Sequence, residues 1–239
     1  MTAFQSDCLR VYLVTDSTLS KGRPLTEVVK AAVEGGVSCV QLREKTMSTR
    51  DFLDLAVAIK QVLLPYRVPL VINDRIDVAL ACGAEGVHLG QSDLPVAHAR
   101  QLLPAHVFIG WSVENMVHVQ QAAQLPVDYL GVSPVFATPT NTDTQAPWGL
   151  DGLRRVRPMT SLPLVAIGGI HAGNALPVLQ AGADGLAVVS AICSADNPQQ
   201  AAAQLQAISL AHFKAQSQHP RQGQHPTPGH LAAHNSESQ

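Results

Sequence analysis

Short runs of β-branched and aliphatic residues recur along this chain, each followed by a stretch whose apolar residues have helical spacing. The runs lie at residues 11–16, 39–43, 70–74, 86–90, 107–112, 129–133, 163–169 and 185–190, and each has the length and composition of a strand. Helical periodicity fills residues 25–34, 50–64, 95–103 and 174–181 between them. Parallel strands cannot be joined by tight hairpins and need crossovers of this kind. Eight such units close most naturally into a single (β/α)8 barrel, a TIM barrel, and 239 residues suit one such domain. A doubly wound open sheet is the structural alternative. Gly83-Ala84-Glu85-Gly86 and Gly182-Ala183-Asp184-Gly185 form a weak internal repeat before two of the strands, with Gly35-Gly36 similarly placed before the second. A glycine that ends a helix in the left-handed conformation and leads at once into a strand makes a tight αβ loop, so these glycines are structural.

The bulk properties narrow the partners. A net charge of -2 gives no field to attract a polyanion, which argues against nucleic acid. No run reaches the roughly 18 apolar residues needed to cross a bilayer, and residues 1–10 lack the apolar segment of a secretion signal. Cys8, Cys39, Cys82 and Cys193 are scattered and form no CxxC pair, as expected of buried thiols in a reducing compartment. The expectation is a cytoplasmic protein acting on small molecules without a membrane partner; a homo-oligomer is compatible with all of this. From residue 215 the composition turns to Gln, His, Pro and Ser, too poor in apolar residues to offset the entropy of ordering. This divides the chain into a barrel over residues 1–214 and a tail over 215–239 that is expected to be disordered. Prolines interrupt the tail histidines His219, His225, His230 and His234, so no helical metal-ligand pair forms.

In such a barrel the active site lies at the C-terminal ends of the strands, and polar residues collect there. After the second strand comes Gln41-Leu42-Arg43-Glu44-Lys45. Alternation aims Gln41, Arg43 and Lys45 to one face and Leu42 and Glu44 to the other. An amide and two cations suit an anion such as diphosphate; a solvated charged loop is the other reading. The third strand ends in Asn73-Asp74 and the turn after the fourth carries Gln91-Ser92-Asp93. Two carboxylates on adjacent strand ends repel unless a cation lies between them, and hard oxygen ligands suit Mg2+ carrying a phosphate-rich substrate. Asp74 and Asp93 are also placed to cap the helices that follow. Ser112 ends the fifth strand, as a donor to substrate or as the cap of a helix starting at Val113. His88 lies in an apolar strand and reads as a packed, hydrogen-bonded core histidine. The longest irregular stretch, residues 133–144, has the character of a lid or binding loop. Gly169, Val189 and Ser190 end the last two strands, where barrels often hold a phosphate with glycine backbone and a short helix N-terminus.

Taken in order, QLREK, ND, HLGQSD, GWS, TPT, AIGGI and VVSAI resemble the motif series of the thiamine-phosphate synthase family over about residues 10 to 214. Each motif is short, and the specificity lies in seven of them falling in order at strand ends. The resemblance implies a transferase of thiamine biosynthesis that joins 4-amino-2-methyl-5-(diphosphooxymethyl)pyrimidine to a carboxylated thiazole phosphate, with loss of diphosphate and CO2. It implies that Gln41, Leu42, Arg43, Glu44, Lys45, Asn73, Ser112 and Asn141 hold the pyrimidine diphosphate, with Arg43, Lys45 and Ser112 in the catalytic role. By the same resemblance Asp74 and Asp93 bind one Mg2+, and Thr138, Pro139, Thr140, Gly169, Val189 and Ser190 hold the thiazole phosphate. The family usually carries lysine after the second threonine of the lid loop, where this chain has Asn141. One cationic contact to diphosphate is therefore absent, and a nearby arginine such as Arg23 or a shifted lysine is a candidate to replace it.

Two other functions fit the same barrel. A thiazole tautomerase would bind only the thiazole phosphate and need neither the carboxylates Asp74 and Asp93 nor the cations Arg43 and Lys45. A non-catalytic barrel binding thiamine phosphate would be recognised by the absence of any coupling activity.

Overall fold

Strands buried on both faces carry apolar residues at nearly every position, and each of the eight apolar runs becomes one. The computed structural model describes residues 4–137 and 146–218. Among them β1 (Val11–Val14), β2 (Cys39–Leu42), β3 (Leu70–Asn73), β4 (Gly86–Leu89), β5 (Phe108–Val113), β6 (Tyr129–Val132), β7 (Leu164–Ile167) and β8 (Gly185–Val188) are all parallel. They close in sequence order, with β8 pairing back to β1. The crossovers are α1 (Leu25–Glu34), α2 (Thr49–Leu63), α3 (Ile76–Cys82), α4 (Val96–Leu102), α5 (Met116–Ala122), α6 (Gly149–Val156) and α7 (Ala172–Gln180). A four-residue α8 (Ser190–Cys193) follows β8, and the long α9 (Pro198–Gln218) packs against α1 and α7. The tail was expected to begin at residue 215, but residues 215–218 form the end of α9. The remaining tail, with its four histidines, lies outside the described residues.

Alternation along the strands divides the core into two layers. Leu13, Val40, Leu42, Ile72, Val87, Leu89, Ile109 and Leu130 face outward into the shell shared with the helices. Tyr12, Val14, Cys39, Val71, Phe108, Tyr129, Val165 and Ala187 face inward and fill the barrel. Phe4 closes the N-terminal end, its ring 4.9 Å from that of Phe108. Large interior rings need empty space opposite them, and strand glycines supply it. A methyl group on Gly110 would lie 2.0 Å from Tyr129 Cζ. Gly110→Ala should therefore destabilise the barrel by about 1–3 kcal/mol, the usual cost of overpacking. A lowered urea midpoint with unchanged m would report it, and an unchanged midpoint would show that the Tyr129 ring can move aside.

The repeat seen in the sequence has a second purpose beyond its glycines. Gly83 and Gly182 do adopt positive φ, at 65° and 113°, at the ends of α3 and α7. The acid two residues later then turns back to the preceding strand. Glu85 accepts from Leu70 N–H at 3.0 Å and Asp184 from Leu164 N–H at 2.8 Å. Asp128 does the same for Ile109 N–H at 2.7 Å, and the Ser38 hydroxyl for Val11 N–H at 2.9 Å. The residue just before each even-numbered strand thus satisfies a backbone donor at the start of the odd-numbered one, where an unpaired buried N–H would be costly. All four cysteines are free, two of them fully buried. Among the described residues no helix is long and apolar enough to cross a membrane.

Candidate active site

The C-terminal mouth of the barrel opens on a cavity of about 500 Å3. On one wall β2 ends and the chain rises through Arg43 and Lys45. Arg43 N–H donates to the Thr15 hydroxyl at 3.1 Å, extending the β1–β2 pairing beyond the strand, and its guanidinium lies 4.0 Å from Asp16. The Lys45 ammonium is ion-paired with Asp74. Asp74 sits at φ 63°, a left-handed conformation that costs a non-glycine residue free energy and clusters at functional positions. Its N–H donates to His88 O at 2.9 Å, which anchors this turn to the end of β4.

The second carboxylate comes from the turn after β4. Asp93 Oδ2 accepts from Gly90 N–H at 2.6 Å, so the side chain folds back over the cavity. The helices that follow, α3 and α4, begin at Ile76 and Val96 without a side-chain cap, so neither aspartate is spent on capping. Burial raises the Asp93 carboxyl above its ordinary pKa; Asp74 beside it adds to the rise, and Lys45 opposes it. Two acids crowded together with one shared ammonium form a site whose charge is only partly compensated. Hard oxygen donors so arranged fit a divalent cation that keeps most of its ligands from water and phosphate. Among the described residues no group of three acidic, histidine or cysteine side chains could hold a metal by itself, so such an ion would depend on its substrate.

Along the floor, a hydrogen-bonded series crosses the barrel. Gln41 Nε2 donates to the Tyr12 hydroxyl, which pairs with the Tyr129 hydroxyl, both at 2.9 Å. Tyr129 reaches His88 Nδ1, and His88 Nε2 reaches Ser112 Oγ, again at 2.9 Å each. Gly131 leaves room for the imidazole, since a methyl there would lie 2.9 Å from His88 Cε1. Burial pushes the His88 imidazole down from 6.5 to about 4, against a smaller upward pull from Asp93. Both phenols are pushed well above 10.0, by burial first. Ser112 lies within β5 rather than at a helix start. The next helix begins at Met116 and is capped by Asn115, whose side chain accepts from His118 N–H.

The opposite wall belongs to β7 and β8, four strands around from β3 and β4. Val165, Ile167, Ala187 and Val189 make it largely apolar up to its rim. At the rim Gly168 and Gly169 turn through positive φ, and a methyl on Gly169 would lie 2.9 Å from Phe136 Cβ. This close approach holds the start of the loop after β6, whose Val135 and Phe136 N–H groups donate to Ile167 O and Gly168 O at 2.8 and 3.1 Å. Asn174 Nδ2 fixes the turn from behind through Gly169 O at 2.9 Å. The short helix α8 begins beside it with no side-chain cap at Val189.

The structure brings Gln41, Arg43, Lys45, Asn73, Asp74, Asp93, Ser112, Gly169, Val189 and Ser190 around one cavity. Leu42 and Glu44 are not part of it. Leu42 is buried in the outer shell, and Glu44 turns away to accept from the Ser17 hydroxyl at 2.7 Å. Thr138, Pro139, Thr140 and Asn141 lie outside the described residues. Arg23 is not a replacement cation at the mouth, because its guanidinium donates to Ser20 O and Cys193 O at 2.9 and 2.8 Å and lies away from the cavity. Tyr12, Tyr129 and Glu114 line the cavity without having been expected there. The tyrosines show as interior positions by alternation, but nothing local in the sequence joins two residues 117 positions apart.

Residues 11–192 match the protein family described as thiamine monophosphate synthase. A thiamine-phosphate synthase from Albidiferax ferrireducens is 68% identical over 200 residues, covering 84% of this chain and 91% of the relative. One from Chloroflexus aurantiacus is 50% identical over 207 residues, covering 86% and 95%. Among solved structures, a thiamine phosphate pyrophosphorylase from Pyrococcus furiosus superposes with a TM-score of 0.81 at 36% identity, covering 87% of this chain and 98% of the other. A 3-hexulose-6-phosphate synthase, at TM-score 0.65 and 18% identity over 83% and 99%, shares the fold alone.

Proposed function

The chain belongs to the thiamine monophosphate synthase family, and we propose that the cavity at its barrel mouth joins an aminopyrimidine diphosphate to a carboxylated thiazole phosphate, yielding thiamine phosphate, diphosphate and CO2. The observation that carries this reading is the opposition of two chemically different walls across one cavity. Arg43, Lys45, Asn73, Asp74 and Asp93 line one side, and the glycine turn and short helix after β7 and β8 line the other. Two anionic substrates need two separate anion sites. A tautomerase acting on the thiazole phosphate alone would have no use for the first.

In this reading the pyrimidine diphosphate lies toward β2–β5, held by Gln41, Asn73 and Ser112. The bond between the pyrimidine methylene and the diphosphate oxygen breaks with its electron pair going to oxygen. Arg43 and Lys45 stabilise the charge that develops there, the kind of preorganised electrostatic assistance that dominates many enzymes. The thiazole nitrogen supplies the pair for the new C–N bond, and the carboxyl group departs as CO2, leaving its bonding pair on the ring carbon, which takes up a proton from solvent. A cationic methylene would be consumed by water, and the apolar β7–β8 wall helps to exclude it. Asp74 and Asp93 are the residues that would hold Mg2+, which when bound neutralises diphosphate charge. No side chain has to act as a nucleophile in this reaction, and the Ser112 hydroxyl beside His88 serves to bind substrate. The barrel through α9 is the catalytic unit, and it works in the cytoplasm on small molecules.

Purified protein mixed with both substrates and Mg2+ should release thiamine phosphate and inorganic diphosphate in equal amounts. Binding of the thiazole phosphate without any coupling, at any protein concentration, would overturn the reading. A second expectation concerns Asn141. A charge-assisted contact is worth about 1.5 to 3 kcal/mol, so Asn141→Lys should lower KM for the pyrimidine diphosphate by roughly tenfold or more. Unchanged KM and kcat would mean that another group already supplies the charge.

A further inference from the structure

The four hydrogen bonds across the barrel floor have a direction, and it is set at one end. Gln41 Nε2 can only donate, so the Tyr12 oxygen accepts from it. The Tyr129 hydroxyl and the buried Cys39 thiol are its other neighbours, and sulfur is the weaker acceptor, so the single Tyr12 proton goes to Tyr129. Tyr129, already an acceptor, passes its own proton to His88 Nδ1. That nitrogen is therefore unprotonated, the ring proton is on Nε2, and Nε2–H donates to Ser112 Oγ. Ser112 Oγ has no other hydrogen-bond partner among the described residues, so its proton is left facing the cavity. With the opposite tautomer Ser112 would give its proton to His88 and show the cavity only lone pairs.

We infer that His88 is a positioning residue, held as the Nε2–H tautomer by the Gln41–Tyr12–Tyr129 series, and that it makes Ser112 a hydrogen-bond donor to the substrate. The group read by Ser112 must then be an acceptor: an unprotonated ring nitrogen or a diphosphate oxygen, and not the exocyclic amine. The identity of the substrate rests on the synthase reading above; the direction of the series does not. Tyr12 and Tyr129 sit in β1 and β6, so closing the barrel is what connects Gln41 to Ser112. A polar series inside an otherwise apolar core is costly unless every member is satisfied, and here each donation leads to the next.

The direct test is a long-range 15N–1H correlation spectrum of the full chain labelled at histidine. His88 should show a protonated Nε2 and an unprotonated Nδ1. The reverse tautomer would overturn the inference even if coupling proceeds, and a failure of coupling would leave the spectrum interpretable. Tyr129→Phe removes the donor to Nδ1 with almost no change of shape. It should lower the population of the Nε2–H form and raise KM for the pyrimidine diphosphate about tenfold, the value of one buried hydrogen bond, with KM for the thiazole phosphate unchanged. Parallel changes in both KM values with an unaltered tautomer would reduce His88 to a packing role and sink the proposal. Binding of the aminopyrimidine alcohol and of inorganic diphosphate to Ser112→Ala identifies the acceptor. Weakening of the first points to a ring nitrogen and of the second to a phosphate oxygen, whereas no change in either overturns the donor role.

Discussion

Asp93→Ala should lower Mg2+-dependent turnover by roughly 10²-fold or more, the scale on which removal of one preorganised electrostatic group is felt. The reason is geometric. Asp93 is folded over the cavity by its bond from Gly90 N–H and stands beside Asp74. Its carboxyl is raised by burial and by that neighbour, which means that the free protein holds its charge there at a cost. A cation between the two acids would remove this cost, and each acid would then depend on the other for metal affinity. Asp93→Asn separates charge from shape, since the amide oxygen can still accept from Gly90 N–H. Both variants should need more Mg2+ for half-maximal activity and bind the ion more weakly in calorimetry with diphosphate present, while the thermal midpoint stays close to that of the parent chain. If Asp93→Asn kept parental kinetics and Mg2+ affinity, Asp93 would not be a metal ligand and its bond to Gly90 would be its whole role.

The eight strands were legible because each is buried on both faces and therefore written as a nearly continuous apolar run. Period-two alternation correctly assigned Gln41, Arg43 and Lys45 to one side and Leu42 to the other. The family resemblance had swept Leu42 and Glu44 into the binding set together with their neighbours, and alternation is what separates them in the structure. Capping was the wrong competitor for Asp74, Asp93 and Ser112. A short polar residue near a helix start looks the same whether it caps or lines a site, and only the strand end, one residue farther along β5 than expected, decides for Ser112. His88 was legible as a hydrogen-bonded interior residue, but its partners were not. Tyr129 and Ser112 stand 41 and 24 positions away, and contacts of that range follow from barrel closure rather than from any local pattern. The acids Glu85 and Asp184 teach the same lesson: their glycines announce the turn, while the backbone donors they satisfy lie one strand back.

That half-buried imidazole should also make the barrel sensitive to mild acid. In the folded chain His88 is pushed down from 6.5 to about 4, whereas in the unfolded chain it titrates near 6.5. Between those values the unfolded state binds more protons than the folded one, so stability rises with pH there. The contribution is thus fully present above about pH 6.5 and is lost progressively as pH falls toward 4. At 1.36 kcal/mol per pH unit the loss is at most about 3 kcal/mol, and less to the extent that water in the cavity screens the ring. Asp93 acts in the opposite sense, because a raised carboxyl favours the folded state at low pH, but it is present in every variant that leaves it untouched. His88→Gln keeps a polar side chain on the floor and has no charge to gain. Urea unfolding at intervals from pH 8 to pH 4 should therefore give two curves, with the parent chain falling more steeply below pH 6.5 than His88→Gln. Parallel curves over that window would mean that His88 is protonated in the folded barrel as readily as in the unfolded chain, so that burial inside the strands does not govern its charge.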